Sequence, residues 1–280
     1  MAKYSNRVKE FVKGVKLPSV FTPENRGLDE CCEPFKVFAS SDTDRFKNDK
    51  TSAWMRDVDS IAFKLVKSDS TEITINEVPF INQLNAYYCT VIWRDILVNY
   101  GQGCYDLIID YSIAGISDSL TWGSYFLQEY SEEKVRGLVS VRSFFNSIQT
   151  IEGIDFSGSK VEDCINFYGF FGNRQPRTEI DNLVYSNRES RKVKRENLNQ
   201  YDLSADAVSE CISKKLLDLH LLSENDLFVT DHNTLNHSYR YIDFPVIVEE
   251  SAEVSYNGRK ATLSCKLGDK FKNSISKYGI

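Results

Sequence analysis

The sequence predicts a mainly β protein: two β-sandwich-like units with one principal helix and extended arms. Aromatic residues are plentiful, with 17 Phe and 15 Tyr against only 2 Met, and such side chains pack well on a pleated surface. Short runs of alternating apolar and polar residues recur along the chain, separated by turn residues at roughly 8–12-residue intervals. A single long segment, by contrast, keeps a clear helical spacing.

Residues 1–30 read as an N-terminal arm. Val8, Phe11, Val12 and Val15 fall at helical spacing, and Pro18 and Pro23 then break the pattern on either side of Phe21. Residues 31–116 form the first unit. "PFKVFAS" alternates, "DSIAFKLVKSD" places Ile61, Phe63 and Leu65 on one face, and "STEITI" closes a hairpin. "AYYCTVIW" is a strand that runs into the helical "WRDILVNY", the turn "GQG" and the strand "CYDLIIDYSI". The small, polar "AGISDSLT" marks a soft boundary near 114–122.

Residues 117–280 form the second unit. "WGSYFLQEYS" is expected to pair with "KVRGLVSVRSFFNSIQT" across "EEK". "CINFYGFFG" continues the sheet, and extended material follows over 183–203. Val208, Ile212, Leu216 and Leu219 then define the helix, placed at 205–222. Strands resume at "DLFVTD", "YRYIDFPVIVEE", "AEVSYN" and "KATLSCKL".

Composition excludes several classes. The net charge of -6 argues against a generic polyanion binder. No run of 18 or more apolar residues occurs, so no membrane span is expected. Seven cysteines without a C-x-x-C read as reduced thiols, and a cytosolic site of synthesis follows.

Motifs for chemistry are weak. Gly169 and Gly172 sit within an aromatic strand and lead into "NRQPR", not into a helix whose free N–H groups would hold a phosphate. His220, His232 and His237 match no zinc spacing. Asp42, Asp44 and Asp49 miss the calcium-loop pattern, because Lys47 and Ala53 stand where glycine and glutamate are needed. No G-x-S-x-G elbow is present. We therefore expect no catalytic residue, metal or cofactor. The notable stretch is basic: Arg174 and Arg177, then Arg188, Arg191, Lys192, Lys194 and Arg195. Pro176 is expected to turn "NRQPRTEIDN" into a polar arm that leaves the ladder.

The phrases "CYDLIIDY", "SVRSFFNSIQTIEGIDFSG", "FYGFFGNRQPRTEIDNLVYSNR" and "LLSENDLFVTDHNTLNHSYRYIDFPV" resemble a tail-associated structural protein of crAss-like podoviruses infecting Bacteroidetes. Proteins of this kind form rings below the portal. The likeness runs from "CCEPFKVFASSDTDRFKNDKTS" to "RKATLSCKLGDKFKN". It implies a non-enzymatic virion component that assembles as a cyclic homo-oligomer in the portal–tail channel. Its partners would be its own copies, the portal or adjacent tail proteins, and passing genomic DNA in the lumen. In that setting Phe11, Val15 and Phe21 on one arm, and Arg174, Arg177 and the 188–195 cluster on the other, become the contact residues. The competing reading is a carbohydrate- or receptor-binding β-sandwich of a phage tail, with Trp54, Trp93 and Trp122 as a stacking face.

Overall fold

In the computed structural model the residues described are 34–145, 150–151, 154–184, 190–221, 226–250, 252–258, 260–270 and 273–274. The expected N-terminal arm, with Phe11, Val15 and Phe21, lies outside them. The protein is mainly β, as its aromatic and alternating composition requires.

The first layer is a five-stranded sheet. It contains β1 (Phe35–Ala39), β3 (Ser60–Lys67), β4 (Glu72–Ile75), β7 (Gly103–Ile113) and β8 (Ile116–Glu129), in the order β1-β8-β7-β3-β4. A three-stranded sheet of β2 (Lys50–Arg56), β5 (Val78–Pro79) and β6 (Ala86–Ile92) packs against it. Trp54 on β2 meets Trp122 on β8 edge-on, with ring centroids 5.1 Å apart. The expected β3–β4 hairpin forms, with Phe63 opposite Ile75. Between β6 and β7 runs the expected helix α1 (Trp93–Tyr100), closed by Gly101 at φ 79°.

Ala114 and Gly115 are the tip of the β7–β8 hairpin. Sheet membership therefore changes not at 116 but after β8, where Ser131 caps the short helix α2 (Glu132–Val135). For the same reason β8 does not pair with β9 (Leu138–Phe145): the two strands on either side of "EEK" belong to different sheets.

The second unit is a closed antiparallel barrel, not a sandwich. Around it run β9, β12 (Val161–Val184), β13 (Ser190–Ser209), β17 (Lys260–Asp269), β15 (Phe244–Val248) and β14 (Asp226–Asp231), which returns to β9. Closure removes the sheet edges that a sandwich would expose. The wall is extended by β16 (Glu253–Asn257) and β18 (Asn273–Ser274), and the short pair β10 (Thr150–Ile151) and β11 (Ile154–Asp155) stands apart. Val139, Val141, Leu203, Val229 and Leu267 are fully buried within the barrel, and one apolar cluster runs without a break from it into the first unit.

The principal helix starts later than its periodicity predicts. β13 stays paired with β17 to Ser209, across an irregularity in which Ala207 has φ 52°. Helix α3 (Glu210–Lys215) begins only there, with Ser209 accepting from the Ile212 N–H, and continues as a wider π turn over Leu216–Leu221. Ladder pairing outweighed helix propensity at Ala205 and Val208, which pair with Leu263 and Ala261.

Candidate functional site: the ribbon leaving the barrel

β12 and β13 are far longer than the barrel they help to close. β9 covers β12 only over Val161–Tyr168, and β17 covers β13 only from Gln200 onward. Beyond that point the two strands pair with each other, from Gln175↔Gln200 out to Val184↔Ser190, with β18 touching β13 at Glu196 and Asn197. Ten residues of β12, Gln175 to Val184, at about 3.3 Å per residue give a ribbon about 30 Å long.

Its root is built by the aromatic stretch "FYGFFG". Phe167 and Phe171 point into the barrel and are buried, while Tyr168 and Phe170 face out and are about half exposed. A Cβ on Gly169 would lie 2.0 Å from the Ser204 carbonyl oxygen, so glycine is what allows β12 and β13 to approach here. The reading of these glycines as strand residues and not a phosphate loop agrees with this geometry. Phe171 stacks on Tyr201 at 5.4 Å and meets Tyr241 edge-on at 5.1 Å. One residue is then inserted between Gly172 and Gln175, where Asn173 adopts φ 52°. That is a β-bulge, and it re-aims the strand as the ribbon departs.

Arg174 is exposed, yet its Nε donates to Asn199 Oδ1 at 2.9 Å. Asn199 donates in turn to Asp269 at 2.6 Å, and Asp269 accepts from the Tyr201 hydroxyl at 3.0 Å. Burial, then this carboxylate, push the Tyr201 hydroxyl well above its ordinary pKa. Arg174 therefore ties the ribbon's root to the barrel in addition to any outward role.

The other basic residues come together on the ribbon backbone. Arg177 stands opposite Leu198, Lys194 opposite Asp181, Arg195 opposite Ile180, Lys192 opposite Asn182 and Arg191 opposite Leu183. Arg188 lies outside the described residues. Pro176 does not end the ladder as expected; it pairs in register with Asn199, and β12 continues to Val184.

Elsewhere the structure brings His220, His232 and Asp49 together with polar groups that the sequence did not link to them. Asp163 and Lys215 form a buried ion pair at 2.7 Å. His220 Nε2 lies 3.3 Å from the same carboxylate, and its Nδ1 is 2.7 Å from Ser143 Oγ. The connectivity is that of a Ser–His–Asp triad, but Ser143 and His220 have no exposed surface and Lys215 neutralises the acid. A nucleophile has to meet its substrate. Here the cluster fastens α3 and its π turn to the barrel interior. A second network, on the outer face of β9 and β12, links Asp49, Asn166, Ser140 and His232. The sequence signal for both was "VEDCINF", adjacent acids within a strand buried on both faces.

The remaining candidates resolve as structural. Lys47 sits between Asp42 at 2.6 Å and Asp44 at 2.8 Å, occupying the centre of the acidic loop. Among the described residues no group of three or more His, Cys, Asp or Glu could hold a metal ion. Cys89, Cys104, Cys164 and Cys265 are free thiols, with burial pushing Cys89 up to about 12. Cys211 is disulfide-bonded, which corrects the expectation of seven reduced thiols. Trp54, Trp93 and Trp122 are all buried core residues. Among the described residues, no helix is long and apolar enough to cross a membrane.

No protein-family model matches the chain, and no curated protein matches it.

Proposed function

We propose that the chain is a non-enzymatic structural protein of a tailed-phage virion, assembled through its arms into a cyclic ring in the portal–tail channel. The observation that carries this reading is the ribbon. A two-stranded ribbon is marginally stable in water on its own, and this one extends about 30 Å beyond β9 and β17, with β18 beside it at Glu196 and Asn197. Residues 173–199 hold seven basic and four acidic side chains, a surplus of three that leaves -9 on the rest of a chain totalling -6. A basic arm on an acidic body suits head-to-tail contact between identical subunits, which closes into a ring when the rotation per subunit allows. Portal or adjacent tail proteins above and below, and genomic DNA passing through the lumen, complete the proposed set of partners. The tryptophans do not support the carbohydrate-binding alternative, since all three are in the core.

Quantitative peptide mass spectrometry of gradient-purified particles tests the proposal. Peptides of this chain at a low, fixed ratio to the major capsid protein are expected. Their absence from intact particles would refute it.

A further inference from the structure

Beyond Tyr168 the outer edge of β12 has no strand partner among the described residues, and it stays open to Val184. Which positions present backbone groups to that edge follows from two hydrogen bonds. Gly169 N–H donates to Gly137 on the β9 side at 3.2 Å, whereas Glu162 N–H points the other way, to Ser52 Oγ at 3.1 Å. Odd-numbered residues of β12 therefore face the β9 side before the bulge. The residue inserted between Gly172 and Gln175 reverses this parity, while β13 runs regularly past it on its other side. After the bulge Pro176, Thr178 and Ile180 face the open edge, and Gln175, Arg177 and Glu179 bond to β13. Proline, which has no N–H to give, thus sits where the ladder does not need one.

Pro176 also stands close to the middle of the open stretch. Two copies of an identical edge can pair antiparallel about a two-fold axis, and for this edge the axis would fall beside Pro176. We propose that Pro176 is an edge guard, closing the free edge of β12 to strand addition by a second copy of the chain and leaving the ribbon to make contact through its faces. The inference does not depend on the virion reading. It concerns how any protein with this ribbon avoids edge-to-edge pairing with its own copies.

The test restores the missing donor. Pro176→Thr and Pro176→Ala are compared with the full-length wild type by light scattering across a concentration series. Barrel folding is followed by the near-ultraviolet signal of the Phe171–Tyr201–Tyr241 cluster. Self-association stronger by about tenfold or more, roughly 1.4 kcal/mol, is expected for both variants with the barrel signal unchanged. Adding Thr178→Pro to Pro176→Thr puts a proline back on the same edge and should return association to the wild-type level. Adding Arg177→Pro instead removes a bond to β13 and should not. Wild-type behaviour of both Pro176 variants, or equal rescue by Thr178→Pro and Arg177→Pro, would overturn the proposal.

Discussion

His232 is nearly enclosed, with its Nε2 2.7 Å from Ser140 Oγ and Arg142 nearby. Burial first, then the Arg142 charge, lower its pKa from 6.5 to about 4. Between those values the unfolded chain binds a proton that the native protein refuses, so stability falls as pH drops from 6.5 towards 4. The loss attached to this residue is about 3 kcal/mol. Asp49 works in the opposite sense, because burial raises its pKa and its protonation in acid relieves a cost. The contribution of His232 is therefore read as a difference: in urea unfolding from pH 7 to 4.5, His232→Asn should show a shallower decline than wild type. Parallel curves would exclude His232 as a source of the pH dependence. At the other buried cluster, Lys215→Met strands the Asp163 carboxylate in the barrel interior and should cost about 3–5 kcal/mol. Lys215→Met combined with Asp163→Leu should recover most of that. Additive losses in a double-mutant cycle would show that the pair is not coupled.

At the scale of elements, the junction between barrel and ribbon rests on close backbone approach. Gly169→Ala places a methyl against the Ser204 carbonyl, and we expect a loss of about 3 kcal/mol, at the upper end for overpacking, measured by urea unfolding. A loss below about 0.5 kcal/mol, the level of an ordinary surface change, would mean that the strands part there freely. The strands themselves were legible in the sequence because alternation and aromatic content are local signals, as at β3, β4 and β7. What was not legible was non-local. Barrel closure depends on β17 meeting both β13 and β15, and no period in the sequence records that. The late start of α3 has the same origin, since the ladder to β17 claims residues whose own spacing is helical. The basic residues of the ribbon were visible as composition, and the arm was expected. That Pro176 would lie inside a continuing ladder was not, because whether its nitrogen faces in or out depends on a one-residue bulge at Asn173.

At the scale of the molecule, barrel and sandwich share one core. Replacing residues 178–197 with Asn-Gly, a two-residue turn suited to the closing pair Arg177↔Leu198, should leave the thermal midpoint within a few degrees of wild type and abolish the proposed ring assembly. Collapse of the fold would make the ribbon a stability element instead. Charge reversal at Arg177 and Arg191 should weaken assembly in a salt-dependent manner, without the change at the root expected from Arg174, whose Nε holds Asn199. The most direct measurement is a localised cryo-EM reconstruction of the portal–tail region of the intact particle. A closed ring of copies of this chain is expected, in which each 173–200 ribbon lies against the next subunit. A tail channel with no such ring, or a ring whose ribbons project into solvent, would contradict it.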